Sequence, residues 1–286
     1  MTLRFGYGTN GFAGHRLDDA LGVLADLGYD GVALTLDHPH LDPFAPDLAA
    51  RTDDVRRRLA AYGLAVVIET GARYVMDPWR KHEPTLVSDV GRERRVDYLC
   101  RAIRVAADLG AEAVSFWSGT VPEGAGPHQA WERLTSGVEQ VLAEAQRRDV
   151  RCAFEPEPGM FVDTLAGVAE LRRRLGDPEH LTVTVDVGHC VCNEPAPPQD
   201  RIRDVGSSLG NVQIDDMRPG VHEHLEFGDG DVDLPATLRA LCDVGYQGLV
   251  SVELPRHSHA APAVAARSLE ALRTAQATAL AAEVTG

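Results

Sequence analysis

The chain has 286 residues, 44% hydrophobic and 25% charged, a composition of soluble folded proteins that excludes a disordered chain. Its 28 lysines and arginines stand against 43 aspartates and glutamates, a formal charge of −15 that argues against a nucleic-acid partner. No run of about 18 uncharged apolar residues is present, so neither a transmembrane helix nor a membrane partner is expected.

The opening residues, Met1-Thr2-Leu3-Arg4-Phe5, run straight into a strand expected over 3–7, with no basic-then-apolar leader. Apolar residues at three- and four-residue spacing predict a helix over 17–27, stopped by Gly28. Strands are expected at 31–36 and 64–70, then a helix at 95–109 closed by Gly110. A strand at 112–117 and a helix at 129–148 follow. Four more strands are read at 151–155, 181–186, 211–215 and 248–253, and an alanine-rich helix at 262–283 closes the chain. Leu-Gly-Tyr-Asp-Gly-Val at 27–32 is echoed by Val-Gly-Tyr-Gln-Gly-Leu at 244–249: in both, a helix ends on glycine and the chain enters a buried strand.

Eight strands alternating with helices, with no linker to divide them, predict an α/β fold, a (β/α)8 TIM barrel forming a single domain over 1–286. The rival is a doubly wound open sheet, which usually carries GxGxxG after an early strand. Gly6-Tyr7-Gly8-Thr9-Asn10-Gly11 lacks that spacing. Cysteines 100, 152, 190, 192 and 242 are scattered, and Cys190 and Cys192 do not make a CxxC pair. They read as reduced thiols of a cytoplasmic protein.

Barrel enzymes carry their chemistry at the carboxyl ends of the strands. Here those ends bear Glu69-Thr70, Trp117, Glu155-Pro156-Glu157, Asp186-Val187-Gly188-His189, Gln213 with Asp215-Asp216, and Glu253. One carboxylate at a strand end often caps the next helix. Such groups on five strands suit a divalent cation better. Glu155, Asp186 and Glu253 are therefore candidate ligands, with Gln213 a weaker neutral fourth whose plain alternative is a buried amide. His189, three residues past Asp186, can turn its ring back to the pocket. His222-Glu223-His224 is expected in a loop after the seventh strand. Trp117 either packs in the core or offers an apolar floor to the strand-end pocket. Asp37-His38-Pro39-His40 reads as ordinary loop, and Arg73, Tyr74, Trp79, Lys81, His82 and Glu83 fill a long loop after the third strand. Arg73 and Lys81 there either meet a substrate phosphate or carboxylate or are solvated charge.

These residues resemble the xylose isomerase-like TIM-barrel superfamily, specifically its sugar phosphate isomerase/epimerase group, from Phe5 to the last helix. The likeness rests on Ala153-Phe154-Glu155-Pro156, Val185-Asp186-Val187-Gly188-His189 and Val250-Ser251-Val252-Glu253. It also rests on a His-x-x-x-Gly-x-Gly-x-hydrophobic-Asp segment from His224 to Asp233. The resemblance implies one divalent metal ion, Mn2+ or Mg2+ before Zn2+ or Co2+, held by Glu155, Asp186, Gln213 and Glu253. Gln213 departs from the family's usual histidine. The resemblance further implies a sugar isomerase or epimerase that moves a proton next to the carbonyl of a keto-sugar or cyclitol through a cis-enediolate. Glu155 and Glu253 are the implied acid/base pair. Glu157, His189, His224, Trp117 and Arg218 are the expected substrate contacts, and a homodimer or homotetramer is the expected assembly.

Three other readings stay open at this point. An endonuclease IV-type zinc hydrolase is disfavoured by the charge of −15 and the few additional strand-end histidines. Dehydration of a keto-inositol begins with the same proton abstraction. A non-catalytic barrel subunit, kept for sugar binding or assembly, would have no need of the paired carboxylates.

Overall fold

In this computed structural model, residues 2–71 and 73–284 are described, with the side chains of 282–284 left out. Met1, Ala72, Thr285 and Gly286, which the expected 1–286 span includes, lie outside the described residues. Strands β1 (Arg4–Gly8), β2 (Gly31–Thr35), β3 (Ala65–Glu69), β4 (Val114–Phe116), β5 (Cys152–Phe154), β6 (Leu181–Asp186), β7 (Leu209–Ile214) and β10 (Leu249–Val252) form a closed parallel barrel. Closure comes through β1, which pairs with β2 on one side (Gly6 with Gly31) and β10 on the other (Phe5 with Val250). The open-sheet rival is thereby excluded.

Each expected strand is present to within two residues. Helices α1 (Leu17–Leu27), α3 (Arg92–Leu109), α4 (Pro127–Arg148) and α9 (Ala261–Val284) lie where spacing placed them. In α1, Leu17, Ala20, Leu21 and Leu24 form the buried stripe, and Gly28 ends the helix at φ 88°, donating its N–H to the Ala25 carbonyl. Five further helices complete the chain among the described residues: α2 (Leu48–Tyr62), α5 (Leu165–Arg174), α6 (Val187–Asn193), α7 (Pro198–Val205) and α8 (Leu234–Asp243). The main apolar core lies between strands and helices, through residues such as Phe5, Leu24, Ile68, Ile103, Phe154 and Leu241. None of these helices is long and apolar enough to cross a membrane.

Residues two apart on a strand share a face. Val67 and Glu69, Thr184 and Asp186, Asn211 and Gln213, and Ser251 and Glu253 are therefore stacked pairs along their strands. Beneath the carboxylates the layer is polar: Ser115 Oγ lies 2.8 Å from Thr184 Oγ1, and Asn211 Nδ2 donates to the same hydroxyl at 3.4 Å.

The segment after β7 differs from expectation. Strands β8 (Asp216–Arg218) and β9 (Val221–Leu225) form an antiparallel hairpin. Pro219-Gly220 makes its tight turn, with Gly220 at φ 72°. His222 and His224 thus stand on a strand, held in register, and not in a loop.

Candidate active site

A cavity of about 380 Å³ opens at the carboxyl ends of the barrel strands, a size that suits one small polar molecule. Its walls include Glu69, Trp117, Glu155, Glu157, Gln213, His222, His224 and Glu253. Glu155 and Glu253 follow directly on β5 and β10. Asp186 ends β6 and Gln213 lies on β7, so four staves of the barrel each contribute one group.

Oxygen atoms of Glu155, Asp186 and Glu253 come within 4.8 Å of one another. Three carboxylates so close, in a buried place, repel one another. Burial first, then repulsion from Glu157 and Glu253, pushes Glu155 well above the usual carboxylate range. Burial likewise raises Glu253, against the attraction of His224 and with the repulsion of Asp186. Glu69 is raised by burial and by Glu253. A bound cation would relieve this repulsion, and two further observations fit one. Asp186 Oδ1 accepts the His189 backbone N–H at 2.8 Å and so caps α6, while Oδ2 is buried without a partner. Gln213 donates its Nε2 to Glu253, leaving Gln213 Oε1 buried without a partner. The donor set of three carboxylates and one amide oxygen fits a hard divalent cation.

Around this centre, Asn10 donates Nδ2 to Glu253 Oε1 at 2.9 Å. Ser115 Oγ donates to Glu155 Oε2 at 3.3 Å. His189 Nδ1 lies 3.6 Å from Glu155 Oε1. Burial lowers the His189 imidazole to about 4, against the attraction of Asp186. His224 is opposite in kind: burial pulls it down, but the buried Asp215 carboxylate at 2.5 Å overrides this and holds it up at about 10. Glu157 is raised to about 8, by burial and by Glu253.

Two glycines of the sequence motifs are explained by close approach. A Cβ on Gly188 would meet Asp215 Oδ1 at 2.0 Å, so that residue must be glycine for Asp215 to reach His224. A Cβ on Gly230 would meet Asp216 Oδ1 at 2.4 Å. Asp216 accepts the backbone N–H groups of Gly228, Gly230 and Val232 at 2.8–3.0 Å, which wraps the Gly-x-Gly segment around its carboxylate. Asp233 ends the segment by capping α8, accepting from Ala236 N.

Of the expected substrate contacts, Glu157, Trp117 and His224 line the cavity. His189 is buried and touches His222, in the layer behind the lining. Arg218 is a correction. It is exposed near the hairpin turn, its guanidinium donates to the Asp229 carbonyl at 2.8 Å, and it does not line the cavity. Arg256, after β10, is an arginine that does.

Trp117 meets both readings, being 7% exposed, a lining residue, and covered by the Arg95 guanidinium 4.5 Å from its ring centroid. Arg73, Lys81 and His82 reach the cavity, whereas Trp79 is 89% exposed and Glu83 accepts from Ser88. His38 bonds Asp42 at the surface, and His40 is buried beside Asp37. Asn10 and Arg256 escaped the sequence reading. Asn10 sits in the discounted glycine cluster, and its place after the first strand was the available signal.

Comparison with known proteins places the chain. Residues 21–275 match the family described as Xylose isomerase-like TIM barrel. The chain is similar to the uncharacterized protein MJ1311 of Methanocaldococcus jannaschii, 21% identical over 88% of this chain and 84% of that one. It is similar to the L-ribulose-5-phosphate 3-epimerase UlaE of Escherichia coli, 24% identical over 82% of this chain and 81% of the relative. Among solved structures, an L-ribulose 3-epimerase superposes with a TM-score of 0.80 at 20% identity, covering 100% of this chain and 98% of that one. The agreement of a closed barrel, its strand-end carboxylates and a family match across most of the chain establishes that this protein belongs to the xylose isomerase-like TIM barrel family.

Proposed function

We propose that the protein is a divalent-cation-dependent sugar isomerase or epimerase, acting by proton transfer next to the carbonyl of a keto-sugar or cyclitol. One observation carries the reading: Glu155 and Glu253 line a sugar-sized cavity and gather with Asp186 within 4.8 Å, with Asp186 Oδ2 and Gln213 Oε1 buried and unpartnered. The likeness to ketose 3-epimerases supports the same chemistry.

Glu155, Asp186, Gln213 and Glu253 would hold the ion, with Mn2+ or Mg2+ favoured by the oxygen donors. A bound ion would supply Lewis-acid stabilisation of the negative charge that develops on the substrate's carbonyl oxygen. Glu155 and Glu253 enter the cavity from β5 and β10, three places apart in the barrel order, and are the acid/base pair. One removes the carbon-bound proton to leave an enediolate, and the other returns a proton to the opposite face. Asn10 and Gln213 both donate to Glu253, which fixes its carboxylate for transfer. Ser115 does the same for Glu155. Trp117 offers the substrate an apolar wall, and Glu157 and His224 offer polar contacts. Burial of the glutamates keeps them basic enough to take a carbon-bound proton. Cys100, Cys152, Cys190 and Cys192 are thiols in no disulfide, consistent with a cytoplasmic enzyme.

The test is a panel of ketopentoses, ketohexoses, their phosphates and keto-inositols, incubated with Mn2+-loaded protein and with protein stripped by chelator. Product at the neighbouring carbon from at least one ketose, lost on stripping and regained with Mn2+, is expected. Loss of water from a keto-inositol without epimer formation would replace isomerisation by dehydration. Activity unchanged in the stripped protein would refute the cation dependence.

A further inference from the structure

One glutamate that lines the cavity takes no part in the steps above. Glu69 ends β3, and Thr35 ends β2 in register with it. Both line the cavity, at 6% and 3% exposure. In the barrel order β2 lies opposite β6 and β3 opposite β7, so this pair stands across the mouth from Asp186 and Gln213. Among the described residues Glu69 makes no ion pair, and neither its Oε1 nor Thr35 Oγ1 has a hydrogen-bond partner. Burial first, then repulsion from Glu253, opposes the charge of Glu69, against a weaker pull from Asn211.

A buried carboxylate is normally paired or coordinates a metal. The cation centre does not answer that need, because Glu69 belongs to none of the groups whose ligand atoms gather within 4.8 Å among the described residues. Holding the end of β3 does not answer it either. That end is fixed by other groups: Leu36 N donates to the Glu69 backbone carbonyl at 3.1 Å, Thr70 Oγ1 donates to the Ser115 carbonyl at 2.6 Å, and Arg95 donates to the Thr70 carbonyl at 3.2 Å. The Glu69 side chain carries none of these contacts. An unpaired acid kept in a cavity wall is a mark of function.

We propose that Glu69, with Thr35 beside it, binds a free hydroxyl on the substrate chain beyond the carbons held at the cation side, and so determines specificity. The inference rests on the sugar reading above and narrows its substrate class. A carboxylate supplies acceptors, and a threonine hydroxyl gives or takes one hydrogen bond. The group that completes them is a hydroxyl donor. Hydrogen in its place leaves the acceptor unpaired, and a phosphate ester there sets anionic oxygens against the carboxylate. The substrates are keto-sugars or cyclitols that keep an unesterified hydroxyl at this position.

The test compares Mn2+-loaded wild type, Glu69→Gln and Thr35→Val on ketohexoses and on analogues in which one chain hydroxyl is replaced by hydrogen. Wild type is expected to reject one analogue by about 10–100-fold in kcat/KM, the range for one hydrogen bond to a charged group. Glu69→Gln is expected to lose a similar factor on the parent sugar, chiefly through KM, and little on that one analogue. Thr35→Val should show the same pattern more weakly, and it serves alone if Glu69→Gln fails to fold. Glu69→Gln should also melt at a higher temperature than wild type, because it removes a buried unpaired charge. Equal losses on the parent and on every analogue, in whichever variants fold, would overturn the proposal. If wild type turns over none of these sugars, the isomerase reading fails, and saturation-transfer NMR of the same sugars on Mg2+-loaded protein judges the wall by itself. Binding weakened in the variants would support it there, and binding unchanged in them, or absent from wild type, would overturn it.

Discussion

Gln213 donates its side-chain amide to the Glu253 carboxylate across the β7–β10 pair, in which Gln213 is in register with Ser251. The contact fixes both groups: Glu253 is oriented, and Gln213 Oε1 is left buried without a partner at the centre of the site. A glutamine thus does at this position what a neutral ligand needs to do. Gln213→Ala is expected to weaken Mn2+ binding about 10–100-fold, the usual cost of losing a ligand-orienting contact. Gln213→His, with its stronger neutral donor, is expected to bind more tightly than Gln213→Ala. Titration calorimetry on stripped protein reads both, and an unchanged affinity in Gln213→Ala would remove this residue from the centre.

Gly188 permits Asp215 to approach His224, because a Cβ there would fall 2.0 Å from Asp215 Oδ1. Gly188→Ala is expected to destabilise the fold by about 1–3 kcal/mol, the range for forcing atoms into a filled space. Thermal melting measures it. The same variant should loosen His224, visible as a shifted imidazole resonance. An unchanged melting temperature would mean that α6 moves aside freely.

Arg95 is a buried cation that donates to three carbonyls, those of Pro84, Thr70 and His82, and lies over Trp117. Burial lowers its guanidinium to about 10. It ties α3 to the loop after β3 that brings Arg73, Lys81 and His82 to the cavity. Lysine cannot reproduce a planar fork with several donors. Arg95→Lys is therefore expected to cost about 1–3 kcal/mol by leaving carbonyls unpaired. A raised KM with a smaller change in kcat should accompany it. Equal losses in both would place Arg95 in the chemistry instead of the loop.

Glu144, on α4, accepts from Arg104 at 3.0 Å and from Arg147 and Arg148. The Arg147 hydrogen bond chiefly holds its carboxyl below the ordinary 4.5, against a smaller upward push from burial. A folded value below the unfolded one stabilises the protein above pH 4.5, and that stabilisation is lost as the pH falls through the folded value. The arginines are 45–64% exposed, so screening keeps the gain near about 1 kcal/mol. Wild type should exceed Glu144→Gln by that amount at pH 7, and the gap should close below pH 4.5 in urea titrations. A gap that persists in acid would assign it to packing.

Much of the barrel was readable because several strands are short β-branched runs ending on a chemically distinct residue, as in Val-Val-Ile-Glu69 or Thr-Val-Thr-Val-Asp186. Glu155, Asp186 and Glu253 could be found because barrel geometry brings strand ends together. The β8–β9 hairpin was not readable: Val221-His222-Glu223-His224 is polar and short, and its pairing depends on the Pro219-Gly220 turn and on Asp216 holding the loop beyond. Helix α2 buries few residues, among them Thr52, Val55 and Leu59, so its apolar stripe is thin. Asp215 and Arg95 act through contacts distant in sequence, and no local pattern marks such a role. Arg218 was misplaced because two residues beyond Asp216 puts a side chain at the cavity if the chain continues as a loop, and at the outer turn if it folds back.

The central claim is that Glu155 and Glu253 move a carbon-bound proton. Its most direct test is solvent deuterium incorporation into a keto-sugar substrate, followed by NMR, with Mn2+-loaded wild type, Glu155→Gln and Glu253→Gln. Wild type should label the carbon beside the carbonyl, and each variant should lose the exchange. Exchange at the wild-type rate in either variant would contradict the assignment of that glutamate.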